Sequence, residues 1–273
     1  MSEIKATLIS PSSNSLDLRE LWQYRGLLRM FVWRDIKLRY KQTVLGLSWA
    51  VAQPLFTMIV FSLLFGALAK IPSEGIPYPL FSYSGLLAWT LFSGGLGRGA
   101  SSLVTETSLV QKVYFPRIIL PLSGVLSPLL DFAIAFVILI GLMIYFGYYP
   151  SAMMLFIIPL LLLQLLFTLG LSFWLSAINV EYRDIAQVIP FLIQLLLFAS
   201  PVIYATSLVP ARFHVAYMVL NPMVGIIGGY RWAILGTESP DYLLGISVLT
   251  IVAILVSGAI YFKHREKAFA DVI

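Results

Sequence analysis

From Phe132 to Val180 the chain carries no Asp, Glu, Lys or Arg, and this stretch restricts the possible folds more than any other feature. A helix crosses the hydrocarbon layer of a bilayer in roughly 20 apolar residues. The run is therefore too long for one crossing and long enough for two, with Gly147, Tyr148, Tyr149 and Pro150 supplying the break between them. Composition points the same way: 59% of residues are hydrophobic, 11% are charged, and the mean hydropathy is +0.90. Soluble domains carry about 25% charged residues, so a water-soluble domain is excluded and lipid is the solvent.

Measured against the same length, the other runs predict four further spans at Ser48 to Ala69, Leu80 to about Leu96, about Ile185 to Tyr204 and Tyr242 to Phe262, while the first crossing of the long run reaches back to make the third span, about Ile118 to Tyr145. The second should close at the glycine cluster around Arg98, and the third contains one charge, Asp131. Between Tyr204 and Asp241 the chain is apolar but broken by Pro210, Pro222, Gly228 and Gly229, so its pieces are too short to span. Non-spanning backbone at membrane depth needs a protein-lined cavity, and two short re-entrant helices are expected there. The expected fold is an all-α integral membrane protein: an N-terminal amphipathic interfacial helix, six transmembrane helices, and short re-entrant helices between the fifth and sixth. Its parts are a flexible N-terminus (1–16), the interfacial helix (17–45), the membrane domain (46–262) and a C-terminal tail (263–273).

Lysine and arginine are retained on the cytoplasmic side. With six spans, fifteen basic residues fall on the side of both termini and three, Lys70, Arg212 and Arg231, on the other. Both termini should therefore be cytoplasmic, and the +5 charge concerns orientation rather than nucleic acid. The first residues, MSEIKATLIS, do not read as a signal peptide. From Asp17 to Lys41, Leu21, Leu28, Phe31 and Val32 share one helical face, with Arg34, Lys37 and Lys41 opposite. Such a helix, flanked by Trp22 and Trp33, suits the plane of the membrane interface. Asp35 and Arg39, four residues apart, are expected to pair with each other.

Several chemistries lack their residues. No Walker A pattern occurs, because the glycine cluster SGGLGRGASS has no GK[ST] ending. Cysteine is absent, and the two histidines, His214 and His264, stand outside any zinc motif. Ser84 has no histidine partner in its neighbourhood and reads as a packing residue. Proton relays use several intramembrane ionisable groups, whereas Asp131 is nearly alone, with Gln53, Gln164 and Gln194 as neutral companions. Asp131 is either functional or bonded to a neighbouring hydroxyl or to Arg98. After the second span, Ser108 and Gln111 form an S-x-x-Q capping pattern and Pro116 stops the helix by about Tyr114. The resulting two-turn helix carries Leu109, Val110, Val113 and Tyr114. This is more apolar surface than a solvated element should expose, and either a protein groove or the membrane surface receives it.

Several short motifs, in order and spacing, resemble one family: RYKQTVLGLSWAVAQP (39–54), FPRIILPL (115–122), NVEYRDI (179–185), PVIY (201–204), NPM (221–223) and the terminal FADVI. Across nearly the whole chain they are similar to the membrane subunit of ABC-2 polysaccharide exporters. The resemblance implies export of O-antigen, capsule or teichoic acid chains on a lipid carrier, across the cytoplasmic (inner) membrane. It also implies a homodimer served by two separate ATPase subunits, with no cofactor on this chain and ATP and Mg on the partner. The chain would itself be no enzyme. A drug or lipid permease of the same type and an ion-driven carrier are the alternatives. In this setting Glu106, Ser108, Leu109, Val110, Gln111, Val113 and Tyr114 would form the element that docks into the ATPase, rimmed by Lys112 and Arg117. Arg34, Lys37, Arg39 and Lys41 would gather the carrier's pyrophosphate, and Tyr204, Tyr217 and Tyr230 would line an outer gate.

Overall fold

A computed structural model describes residues 18–41, 46, 48–238, 242–266 and 269. The segment 1–16, most of the junction 42–47, Lys267 and most of the FADVI tail lie outside the described residues. The described chain is helical, with no strand among those residues. Two helices open it: α1 (Leu18–Gln23) and α2 (Arg25–Tyr40). Next come α3 (Ser48–Phe61), which continues as a π-helical turn to Leu68, and α4 (Tyr78–Thr105). The chain continues with α5 (Thr107–Lys112), α6 (Ile119–Leu126) and α7 (Leu129–Tyr145). The remaining helices are α8 (Ile157–Glu181), α9 (Ile185–Ala199), α10 (His214–Leu220), α11 (Met223–Leu235) and α12 (Tyr242–Arg265).

Among the described residues four helical stretches are long and apolar enough to cross a membrane: Ser48–Leu68, Ile119–Tyr145, Ala152–Glu181 and Leu244–Arg265. The predicted hairpin at 147–150 is present, with Gly147 at a φ of 80° where the chain reverses. A bent pair, Ala211–Leu220 and Met223–Leu235, turns through 107° and makes a fifth crossing if taken as one broken span. This is the pair of short helices read from the proline and glycine breaks.

Two expected spans differ. The second does not end at the glycine cluster; α4 runs on through Arg98 to Thr105 over 28 residues, yet is too polar to pass as a lipid-exposed span. The reason is its place in the molecule. Helices α3, α6, α7, α8, α9 and α11 all pack on α4, so its Ser, Thr and Gly residues meet protein rather than lipid. Its glycines permit close approach instead of breaking the helix: a Cβ on Gly99 would lie 2.4 Å from Ser172 Oγ, and one on Gly124 of α6 would lie 2.7 Å from the Gly99 backbone nitrogen. The fifth expected span stops short, because α9 has only 15 residues and ends where Ser200 adopts an extended conformation before Pro201.

Packing forms two apolar clusters. The larger surrounds α4, α7, α8 and α11. The smaller lies at one end, where Phe31 of α2 meets Phe115 (ring centroids 6.0 Å apart) in a cluster that also holds Val110, Ile119 and Phe262. Of the predicted face, Leu21, Leu28 and Phe31 pack on the bundle, whereas Val32 lines an outer groove with Met30 and Trp33, and Trp22, Met30 and Trp33 point away from the bundle.

Candidate functional site

The polar contacts divide the molecule into two ends. At the basic end Arg34 of α2 bonds Glu106 at 2.6 Å, and the Arg117 backbone N–H donates to Glu266 Oε1 at 3.1 Å. Arg265 pairs with Glu181 at 2.9 Å. These contacts join the N-terminal helix, the α4–α6 connection, the C-terminus of α12 and the end of α8, the segments grouped together by the lysine and arginine count. At the opposite end Ser207 donates to Glu74 at 2.8 Å and the Tyr78 hydroxyl to the Ile203 carbonyl at 2.8 Å. The 70–79 and 204–238 segments thus share one end, as expected. Two cations counted as loop residues are not in loops: Arg98 lies in α4 and Arg231 in α11. Removing one from each side leaves the asymmetry standing.

Helix α2 is clipped to the bundle at two points. Arg34 bridges Asp35 (3.0 Å) and Glu106. Burial opposes its charge, but the hydrogen bonds to Glu106 and Asp35 outweigh that effect and hold its guanidinium above the ordinary arginine value. One turn later Arg39 pairs with Asp131 at the start of α7, and the Tyr40 hydroxyl donates to the same carboxylate. The expected Asp35–Arg39 pair is therefore absent. Asp35 bonds its neighbour Arg34, and Asp131, brought close only by the tertiary fold, takes Arg39. Asp131 thus bonds a hydroxyl, as one alternative had it, and an arginine other than the expected Arg98, which donates instead to Ser127 Oγ at 2.9 Å. Of the four predicted phosphate-binding cations, Arg34 and Arg39 are occupied by bundle carboxylates, while Lys37 and Lys41 stay exposed. A cavity of about 230 Å³ lies beside the first clip, lined by Arg34, Arg98, Ser101, Thr105 and Glu106.

Glu106, which receives Arg34, is also the residue from which α5 starts. The short helix exists over Thr107–Lys112 and ends at extended Val113, ahead of Pro116. Its cap differs from the sequence pattern. Glu106 occupies the N-cap with no side-chain cap bond, Ser108 lies inside the first turn, and Thr107 Oγ1 bonds back to the Val104 carbonyl at 2.7 Å. Helix α4 runs to Thr105 and α5 starts at once, so no separate N-terminus remains for Ser108 and Gln111 to cap. The apolar residues divide: Val110 is 3% exposed and Leu109 packs on the smaller cluster, whereas Val113 and Tyr114 are 53% and 51% exposed. Ser108 and Gln111 are exposed as well.

At the opposite end Tyr204 and Tyr217 meet, their hydroxyls 2.7 Å apart, and Tyr217 donates to the Ala199 carbonyl at 2.8 Å. Tyr230 is wholly buried, edge-on to Phe132 with centroids 6.1 Å apart. It packs inside the bundle and presents no face to a passing molecule. Sequence reading missed two side chains that build this corner. Asn221 donates to the Ala199 carbonyl (3.1 Å) and Ser200 Oγ (2.9 Å), and accepts from the Met223 backbone N–H (3.2 Å). Arg231, 4% exposed, stacks on Phe81 with its guanidinium carbon 3.6 Å from the ring centroid. Its nitrogens reach the carbonyls of Val202 (2.9 Å), Tyr204 (3.4 Å) and Phe81 (3.5 Å). The signal was available, since a cation inside an apolar helix needs partners, but a count by loops hid it. Among the described residues no group of three or more His, Asp or Glu could hold a metal ion. His214 bonds the Val209 carbonyl at 2.7 Å, and Ser84 donates to the Phe81 carbonyl at 2.8 Å within α4.

A central helix enclosed by lipid-facing ones, a broken helix pair at one end and a charged clip at the other define a multi-pass all-α membrane protein. The sequence profile of the ABC-2 type transporter matches residues 26–235, and the chain belongs to that family. It is similar to the O-antigen export system permease protein RfbA of Myxococcus xanthus, 35% identical over 260 residues that cover 94% of this chain and 98% of that one. A protein of the same name from Klebsiella pneumoniae is 28% identical over 90% of this chain and 95% of its own. The polysialic acid transport protein KpsM of Escherichia coli is 22% identical, with 86% of this chain and 92% of that one covered.

Proposed function

We propose that the chain is the membrane-spanning subunit of an ATP-driven exporter that moves a lipid-linked cell-surface polysaccharide, O-antigen-like or related, across the inner membrane. The observation that carries this reading is similarity to an O-antigen export permease along 94% of the chain, joined to a fold whose two ends differ in chemistry. In this reading the basic end is cytoplasmic, as lysine and arginine retention requires, and both termini lie there. Two copies of the chain enclose the path and two ATPase subunits supply ATP and Mg, with no ATP site on this chain.

The exposed residues Ser108, Gln111, Val113 and Tyr114 of the α5 segment present the docking face, while Leu109 and Val110 hold that segment to the bundle. Because Glu106 starts α5 and is bonded to Arg34, a displacement of α5 by the ATPase is passed to α2, and through Arg39 and Asp131 to α7. Lys37, whose ammonium stands over the Trp33 ring, and Lys41 are not paired with bundle carboxylates and meet the carrier's phosphates at headgroup level. Each basic residue near a membrane surface contributes about 1 kcal/mol of attraction for anionic groups. Tyr204 and Tyr217, in the corner held by Asn221 and Arg231, belong to the outer gate; Tyr230 braces it from inside.

Deleting the gene should remove the surface glycan, and restoring it should require both this chain and its ATPase. Unchanged surface glycan would favour a drug or lipid permease of the same family. Transport by the chain alone in liposomes without an ATPase would favour an ion-driven carrier.

A further inference from the structure

Helices α8 and α12 cross where neither has a side chain: a Cβ on Gly258 would stand 2.4 Å from the Gly170 carbonyl oxygen, and one on Gly170 would stand 2.8 Å from the Leu255 Cα. Beside this crossing, on the side facing α6, lies a groove of about 390 Å³. Leu122, Leu166, Leu169, Leu255, Ala259 and Ile260 form its walls, and Leu21 of α1 reaches its basic end. Both α8 and α12 belong to stretches long and apolar enough to span, so the groove lies at membrane depth. Water gains nothing in an apolar cavity, and the only solvent available to fill this one is hydrocarbon.

One end of the groove is charged. Lys263 stands there with its ammonium 2.7 Å from Glu266, and Glu20 of α1 lines the same mouth. Glu266 accepts the Arg117 backbone N–H, and the Arg117 guanidinium reaches the Glu266 carbonyl. One cation, Lys263, and two carboxylates, Glu20 and Glu266, therefore line the groove at the level where a lipid headgroup would lie. A mouth of mixed sign above an apolar slot is complementary to a zwitterionic head on an acyl chain: phosphate toward Lys263, ammonium toward the carboxylate side of the mouth. A purely anionic head would meet more negative than positive charge.

We infer that this groove binds one acyl chain of a zwitterionic, amine-bearing phospholipid, which fills the space between α6, α8 and α12 and supports α1 from below. The inference rests on the membrane fold and is independent of the exported cargo.

The test is native mass spectrometry of the full chain released from mild detergent after reconstitution with equal amounts of phosphatidylethanolamine and phosphatidylglycerol. The expected wild-type result is one retained phosphatidylethanolamine per chain. Ala259→Trp, which fills the slot, should release it. Lys263→Gln, which removes the cation lining the mouth, should lower its occupancy at least tenfold or shift it away from phosphatidylethanolamine, with the thermal unfolding midpoint read alongside to separate lipid loss from loss of the Lys263–Glu266 pair. A wild-type chain that retains no lipid would overturn the inference. So would retention unchanged in Lys263→Gln, or phosphatidylglycerol held equally well.

Discussion

Arg231 offers the sharpest test of how the outer corner is held, because it donates to the backbone carbonyls of Val202 and Tyr204 from inside an apolar helix. In Arg231→Met the carbonyls of Val202 and Tyr204 lose their donor. A buried polar group left unpaired costs about 1–3 kcal/mol, so the pair costs roughly 2–6 kcal/mol, and loss of the Phe81 stack removes about 2 kcal/mol more. Against this, the variant no longer buries a cation, whose desolvation costs several kcal/mol. The two effects nearly cancel for the whole fold but not for the corner, since only local opening to water gives the carbonyls new partners. Even the low figure of about 2 kcal/mol raises the open population roughly 30-fold.

The chain has no cysteine, so Ala205→Cys, at a site 1% exposed beside the two carbonyls, gives a thiol that reacts only when the corner opens. Combined with Arg231→Met, its labelling rate in reconstituted protein should rise by at least an order of magnitude, while the thermal unfolding midpoint moves little. Arg231→Lys should fall between, because a point-like ammonium reaches fewer carbonyls than a planar fork. An unchanged labelling rate in the correctly inserted double variant would refute the reasoning.

For α5, Val113→Ala with Tyr114→Ala should abolish co-purification with the ATPase, since truncating interface anchors can cost more than 2 kcal/mol each; Val110→Ala should weaken the fold yet leave docking intact, and the reverse pattern would place the docking face elsewhere. Gly258→Ala forces a methyl against the Gly170 carbonyl and should cost about 1–3 kcal/mol by overpacking, seen as a lower unfolding midpoint. Gly245→Ala in the same helix meets nothing within 4 Å and should stabilise by about 0.5–1 kcal/mol. Glu74→Cys should react with a membrane-impermeant thiol reagent in intact cells; labelling only after lysis would invert the orientation.

Much of the fold was legible in the sequence because lipid imposes one-dimensional rules. Charge-free runs such as 132–180 must be helical and must span, the Gly147–Pro150 break must turn, and Pro222 with its flanking glycines must shorten what would otherwise cross. The grouping of segments into two ends followed from lysine and arginine alone, and the contacts Arg34–Glu106, Arg265–Glu181 and Ser207–Glu74 agree with it. Tertiary structure decided what depends on neighbours. Helix α4 is polar for a span because other helices, not lipid, surround it, and no hydropathy value distinguishes a glycine that breaks a helix from Gly99, which lets Ser172 approach. Asp131 lies 92 residues from Arg39, and sequence spacing offered only the nearer partner, Asp35. Arg231 read as an outward loop charge until the fold placed three carbonyls and the face of Phe81 around it. Burial and pairing at a distance are properties of the packed helices, and they determine which cations are free to meet a ligand and which are bound within the bundle.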